Sequence, residues 1–357
     1  MKSEMSQSPS LLNSLLESSP PQVEPQVAAD ITARYFGVTS SVSRLGGERD
    51  TNFHVHADDG REYVLKFSSA SEEAGVTNLS TAALLHIEQR DPGVPVQRVI
   101  AALDGSYELS LPVGAGVPLI TRLFSYLQGE PLYRVARGRL QSVAAAQFLA
   151  RLDVALADFT HPAAAAHELL WDIKHLDRLL PLVDAITDPT QRATVDRVFE
   201  RHARDVLPRL ANLRAQVVHN DLNPHNLLVD SEDNSRVTGI LDFGDIVYTP
   251  LINDLAIACS YQINLGDGDA LSTVAEFVAA YHAVLPLRAE ELDLLFNLIA
   301  ERLTTTVVIT NWRAQRYPEN RDYILKNNPS AWAGLDRLAG ITPSAARACL
   351  AAACGLK

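Results

Sequence analysis

The residues whose types and spacing suit chemistry are concentrated between positions 219 and 245, where His219-Asn220-Asp221-Leu222-Asn223-Pro224-His225-Asn226 is followed by Ile240-Leu241-Asp242-Phe243-Gly244-Asp245. Asp221 to Asn226 is D-x-x-x-x-N, the interval at which a catalytic loop presents a carboxylate base to a hydroxyl and an amide oxygen to magnesium. Asp242 opens a D-F-G, the second metal position of the same chemistry. Between them the polar stretch Ser231-Glu232-Asp233-Asn234-Ser235 separates two strand-like runs, 226–229 and 237–242. A hairpin there brings Asn226, at the start of one strand, beside Asp242, at the end of its antiparallel partner. Taken singly, Asp and Asn are ordinary turn and cap residues. In this order, with Pro224 and Gly244 at the matching offsets and a strand-borne lysine far upstream, they point to phosphoryl transfer.

That lysine is Lys66 in Tyr63-Val64-Leu65-Lys66-Phe67, an apolar strand placed to aim an ammonium at phosphate oxygens. Upstream, Leu45-Gly46-Gly47-Glu48-Arg49-Asp50-Thr51-Asn52-Phe53 reads as a phosphate-covering hairpin, with Gly46, Gly47, Asp50, Thr51 and Asn52 as nucleotide contacts. Leu123-Phe124-Ser125-Tyr126 is the expected purine hinge, its backbone bonding the base while Phe124 and Tyr126 flank the ring. This stretch does not separate ATP from GTP.

The elements that must position these groups read as α+β, a small antiparallel sheet followed by a mostly helical region. Residues 27–36 place their apolar positions on one helical face, and Gly37 is a left-handed helix stop. Strands are expected at 41–45, 52–56 and 62–67, with Asp58-Asp59-Gly60 as a tight turn, then a helix over 77–89 that Pro92 and Pro95 end. Strands at 99–102 and 117–124 follow. After Gln128-Gly129-Glu130-Pro131 the chain turns to long alanine- and leucine-rich helices, 140–159 and 189–213, with an amphipathic helix at 345–353. The expected organisation is a mobile tail 1–25, where Ser18-Ser19-Pro20-Pro21 and Pro25 cannot sustain a helix, a nucleotide-binding lobe 26–128 with the hinge at its end, and a helical catalytic and substrate lobe 129–357.

With these motifs the chain resembles, over about residues 40 to 330, the aminoglycoside phosphotransferase and choline kinase family, which shares the two-lobed protein-kinase-like fold. The family loop H-G-D-x-x-x-x-N corresponds to His219, Asn220, Asp221 and Asn226, with asparagine in place of the glycine, and its metal aspartate corresponds to Asp242. The segments 47–53 and 78–84, Glu301-Arg302-Leu303 and Tyr317-Pro318-Glu319-Asn320 are similar to the hydroxylysine kinase branch. The resemblance implies a small-molecule kinase that uses Mg2+ and moves the γ-phosphoryl group of ATP or GTP to a hydroxyl of an amine-bearing acceptor. A hydroxylysine-like acceptor matches best; choline, ethanolamine, homoserine and aminoglycosides are alternatives, and a nucleotide-binding pseudokinase is the alternative of another class.

Within that resemblance Asp221 is the base, Asn226 and Asp242 hold metal, and His219 and Asp254 give structural support. The family's lysine pairs with a glutamate on the following helix; here that position falls on Ser80, with Glu72 and Glu73 nearer the helix start. Acceptor candidates are Asp245, Glu301, Arg302 and Arg313, near Trp312, Arg316 and Tyr317. Arg302 or Arg313 suits a carboxylate bidentately, and an acidic residue suits an ammonium. Asn220 replaces the arginine of regulated protein kinases, no A-P-E follows, and Pro250 and Asp254 come soon after Asp245, which leaves too little chain for an activation segment.

Composition excludes other classes. The 357 residues are 47% hydrophobic, and Lys plus Arg number 31 against 43 Asp plus Glu, a net charge of -12 that argues against binding nucleic-acid backbones or anionic membranes. No run reaches the roughly 18 to 20 apolar residues of a membrane span and none reads as a secretory signal, so a soluble cytoplasmic protein is expected. Cys259, Cys349 and Cys354 form no C-x-x-C. Gly114-Ala115-Gly116 lacks the rest of a dinucleotide fingerprint and no G-x-x-x-x-G-K-[ST] occurs. His54 and His56 alternate on one strand face, but the sequence offers no third metal ligand.

Overall fold

The computed structural model describes residues 20–47, 49–113, 117–265 and 268–356, so Glu48, the Gly114-Ala115-Gly116 stretch and most of the expected tail lie outside the described residues. The chain divides into two compact units, one formed by 1–88, 96–127 and 161–163, the other by 89–95, 128–160 and 164–357.

The first unit opens with α1 (Pro25–Phe36), which starts on a proline whose missing N–H costs nothing at that position and stops at Gly37, φ 67°, whose N–H bonds Thr32 O. Then come β1 (Ser40–Leu45), β2 (Thr51–Ala57), β3 (Glu62–Phe67), α2 (Ala74–Arg90), β4 (Val99–Ile100), β5 (Leu109–Leu111) and β6 (Leu119–Ser125). All pairings are antiparallel, in the order β1-β2-β3-β6-β4 with β5 also on β6. Period-two alternation divides the sheet into two faces. Phe53, Val55, Leu65, Phe67 and Leu123 form a core with Ala28, Ile31 and Phe36 of α1. Residues directly opposite one another share a face, so Asn52, Lys66 and Arg122 lie together on the other side, as do His54, Val64 and Phe124. The end of the expected tail is fixed rather than mobile: Val23 is 5% exposed in the core, and Pro21 O accepts a hydrogen bond from Thr51.

The second unit contains β7 (Glu130–Pro131), α3 (Arg139–Ala155), α4 (Pro189–Arg201), β8 (Ala215–Val218), β9 (Leu227–Val229), β10 (Val237–Ile240), β11 (Val247–Pro250), α5 (Ile252–Ser260), α6 (Ala270–His282), α7 (Ala289–Arg316), α8 (Asn328–Leu338) and α9 (Pro343–Ala353). Nearly every residue of α7 from Leu292 to Thr310 is buried, which makes it the central helix of this unit. The single helix expected over 189–213 is interrupted: α4 ends at Arg201, and a π-turn over His202–Val206 leads into a short helical turn, Leu207–Leu210. Pro208 lacks the N–H needed to continue an α-helical ladder and occupies the first turn of the new segment, where none is required. Among the described residues no helix is long and apolar enough to cross a membrane.

Candidate active site

Two small antiparallel pairs clamp the motif-bearing loops. Loop 219–226 runs from β8 to β9 and loop 241–246 from β10 to β11, while β8 pairs with β11 and β9 with β10. Each loop is therefore pinned to the other at both ends. The β9–β10 hairpin is the one expected from the sequence, and Leu241 N bonds Asn226 O at 2.8 Å, which ties Asn226 to the strand leading into Asp242.

Within the first loop, buried His219 donates from Nε2 to Leu241 O (2.9 Å) and accepts at Nδ1 from the Asp221 N–H (3.2 Å), so one neutral imidazole links both loops. Its ring meets Phe243 edge-on, centroids 4.9 Å apart. Asn220 has φ 65° and Asp242 φ 62°, the left-handed region that explains a glycine preference at position 220 and that Asn and Asp tolerate best among side-chain-bearing residues. The Asn220 N–H donates to Asp254 Oδ1 at 2.7 Å. Behind it, buried Asp254 shares an electrostatic field with buried Asp153, which accepts from Tyr281 OH at 2.6 Å. Burial, then the Asp254 charge, holds Asp153 protonated far above the carboxylate range.

Asp221 collects three donors. Asn223 Nδ2 and Asn226 Nδ2 each lie 2.8 Å from its Oδ2, and Arg302 Nη2 lies 2.8 Å from its Oδ1. Burial raises its pKa to about 6, against the opposing pull of Arg302 and with a further upward push from Asp245, which places that second carboxylate in the same field. Asn226 also donates to Asp221 O at 2.9 Å, so its amide protons are committed and its carbonyl oxygen is left as a donor to a cation. Asp242 is exposed and accepts from Gly244 N at 3.0 Å with one carboxylate oxygen. An amide oxygen and a carboxylate are the hard donors that magnesium takes, so these two residues fit the ion.

In the first unit, Lys66 Nζ lies 2.7 Å from Asp50 Oδ2, and Asp50 Oδ1 accepts from Ser69 N. Sequence reasoning placed Asp50 among the phosphate contacts and looked for the lysine's carboxylate on α2; the hairpin aspartate holds the lysine instead, and Glu72 is bonded to Thr77. Arg122, opposite Lys66, ties the sheet to α2 through Thr77 O and Thr81 Oγ1. Gly47 is required by close approach, since a Cβ there meets Asp50 O at 2.3 Å. Asn52 reaches back across the hairpin to Gly46 O at 3.4 Å. Thr51 leaves the nucleotide set: it is 3% exposed, opposite Phe67, with its hydroxyl on Pro21 O. Phe124 shares the Lys66 face, and Tyr126 stacks on His54 with centroids 3.9 Å apart and planes at 9°. The two histidines gain a third group that the sequence reading lacked. Glu62, opposite His56 in register, has Oε1 at 3.2 Å from His56 Nδ1 and 3.7 Å from His54 Nε2.

The acceptor candidates separate. Arg302, 4% exposed, is committed to Asp221 and stacked on Trp171, its Cζ 5.4 Å from the ring centroid. Glu301 is 1% exposed and turned by one residue on the helix toward His202, 3.1 Å away, so it is dropped as an ammonium partner. Arg313 lies eleven residues further along α7, roughly 16 Å by helical rise, too far to share a ligand group with Arg302. Sequence reasoning missed Asn223, Tyr261 and Arg137. Asn223, inside the motif as one of its variable positions, was the one most open to detection.

Residues 41–292 match the phosphotransferase enzyme family (APH), and the chain belongs to it: a small-molecule phosphotransferase with an alcohol group as acceptor, of protein-kinase-like fold. It is 29% identical over 336 residues to a hydroxylysine kinase of Mus musculus, covering 88% of this chain and 89% of that one. A hydroxylysine kinase of Danio rerio is 29% identical over 335 residues, covering 90% and 93%. Among solved structures, a microcompartment-associated aminopropanol kinase superposes with TM-score 0.66 at 19% identity, covering 93% of this chain and 99% of that one.

Proposed function

We propose that the chain phosphorylates the side-chain hydroxyl of a free amino acid, hydroxylysine-like, with the γ-phosphoryl group of ATP or GTP. The observation that carries the mechanism is Asp221, a carboxylate fixed by Asn223, Asn226 and Arg302, with its pKa pushed up to about 6. Such a base is ionised at neutral pH yet close enough to it to accept a proton. Asp221 takes the acceptor's hydroxyl proton and aims the oxygen. Asn226 and Asp242 hold magnesium, which when bound neutralises charge on the donor's phosphates. Lys66, steered by Asp50, and the hairpin backbone at Gly46 and Gly47 hold the triphosphate with Asn52. Phe124, Tyr126 and His54, which share a face or stack in the first unit, supply the purine contacts.

The acceptor class rests on the two relatives named as hydroxylysine kinases and on Asp245, whose charge reaches Asp221 and suits an ammonium. A loose transition state leaves most of the acceleration to positioning and charge neutralisation. The test is mass-spectrometric detection of phosphorylated product with magnesium, comparing ATP and GTP across hydroxylysine, homoserine, ethanolamine, choline and aminoglycosides. Product from hydroxylysine, reduced on the order of 10² to 10⁴-fold by Asp221→Asn, is the expected result. Product only from another acceptor overturns the substrate, and an unimpaired Asp221→Asn overturns the base.

A further inference from the structure

Beside loop 219–226 the second unit has a small, partly open pocket walled by Leu132, Leu222, Pro224 and Tyr261, with Arg137 and Asn223 on its lining. Arg137 is the unusual member. Among the described residues no carboxylate pairs with it, and its one hydrogen bond is a long one, 3.5 Å from Nη2 to Gln262 Oε1. That oxygen also accepts from Ser142 Oγ at 3.0 Å, and being neutral the amide leaves the guanidinium charge unbalanced. The remaining wall is largely apolar, and burial lowers the pKa of Arg137 to about 10. A guanidinium kept in such a wall without a counter-ion is costly unless something else supplies the negative charge.

The pocket is joined to the reacting centre by two of its own residues. Asn223 donates to Asp221 Oδ2 at 2.8 Å, and the Tyr261 hydroxyl lies 3.4 Å from Arg302 Nη2, the same nitrogen that holds Asp221 Oδ1. Asn223 thus lines the pocket together with Arg137 and at the same time holds the proposed base. Arg302, the cation first expected to meet an acceptor's carboxylate, is occupied by Asp221, whereas Arg137 has no carboxylate partner among the described residues.

We propose that Arg137 anchors the α-carboxylate of the acceptor, so that this pocket selects amino acids over the corresponding amino alcohols and amines. The inference rests on the hydroxy-amino-acid reading above and adds the group that enforces it. A guanidinium fork matches a carboxylate bidentately, which a lysine ammonium does not.

The test compares the full-length wild type with Arg137→Met and Arg137→Lys, using hydroxylysine and its decarboxylated analogue, a diamino alcohol with the same hydroxyl. Loss of a charge-assisted pair should raise the KM for hydroxylysine on the order of 10- to 100-fold in Arg137→Met, leave the decarboxylated analogue unchanged, and be partly restored in Arg137→Lys. An unchanged KM for hydroxylysine, or equal losses on both compounds, overturns the anchor while leaving the kinase reading in place. Wild-type turnover of homoserine but not hydroxylysine, abolished in Arg137→Met, overturns the substrate and keeps the anchor. Turnover of carboxylate-free acceptors alone overturns both. If no acceptor turns over, calorimetric titration with hydroxylysine decides: binding by the wild type that Arg137→Met loses supports the anchor, and binding that is absent or equal in both overturns it. Equal melting temperatures of the variants control for folding.

Discussion

Arg302 Nη2 lies 2.8 Å from Asp221 Oδ1, so the proposed base forms an ion pair with a nearly buried cation. The guanidinium cannot easily swing away, because it also stacks on Trp171, donates to Trp171 O at 3.3 Å and touches Tyr261 OH at 3.4 Å. Two opposing effects meet on one carboxylate. Burial favours the protonated acid, Arg302 favours the anion, and burial wins by enough to set the pKa at about 6.

This balance fixes a pH profile. Asp221 works ionised, so kcat/KM should fall as pH drops through about 6. Replacing Arg302 with methionine removes the largest of the effects that lower the pKa and leaves burial and Asp245 in place. The acid limb should therefore move to higher pH, with the deficit greatest near pH 6 and smaller in alkaline buffer. A limb that stays put, or moves to lower pH, removes the ion pair from the mechanism.

The Lys66–Asp50 pair, 2.7 Å between Nζ and Oδ2, makes a second prediction because it replaces the α2 carboxylate expected by analogy. Asp50→Asn keeps the shape and removes the charge that steers the lysine. The nucleotide KM should rise about tenfold or more, the scale of a lost charge-assisted hydrogen bond. Ser80→Ala, at the position where the helix carboxylate was sought, should leave nucleotide kinetics within roughly twofold. Initial rates at varied ATP check both; a larger effect from Ser80→Ala would return the lysine's partner to α2.

The same pair shows where sequence reading reaches its limit. The first three strands, α1 with its Gly37 stop and the β9–β10 hairpin were legible because alternation, capping and turn chemistry are local signals. The β8–β11 ladder was not. Four residues of each strand pair across a separation of about thirty, and neither run is long enough to stand out among helices. The spacing of Asp221, Asn226 and Asp242 was visible as a motif. The contacts of Arg302 and Arg137 were not, since α7 lies some eighty residues from the loop it touches and an unpaired arginine reads like any other surface charge. Register separated Thr51 from its neighbours, because adjacent strand residues face opposite sides.

Behind the loop, Asp153 and Asp254 are both fully buried, and burial together with the charge of Asp254 favours the protonated form of Asp153. Asp153 is held protonated, its folded pKa raised well above the unfolded value. The stability it contributes is fully present below the unfolded pKa of about 3.9 and declines as pH rises toward the folded value. Asp153→Asn removes the titrating group and keeps an oxygen for Tyr281. It should keep activity and flatten the loss of stability between about pH 4 and pH 7, whereas Asp153→Ala should lose both activity and stability. Denaturant titrations at several pH values decide; a slope as steep in Asp153→Asn as in the wild type would show that Asp153 is not the group taking up the proton.

Asn220 offers the sharpest separation of backbone from side chain. Its φ of 65° lies in the left-handed region, its N–H is held by Asp254, and neither amide atom of its buried side chain has a hydrogen-bond partner among the described residues. The position thus needs a backbone conformation and gains little from the amide. Asn220→Gly removes two unsatisfied polar atoms and keeps the conformation, so it should match the wild type in kcat/KM and melt at the same temperature or higher. Asn220→Val forces a β-branched residue into a region that costs an ordinary L-residue about 1–2 kcal/mol, and should lower both the melting temperature and the rate as Asp221 is displaced. Thermal melts and initial rates on the two variants test this. Equal behaviour of glycine and valine would mean that the bend before Asp221 is not what position 220 supplies.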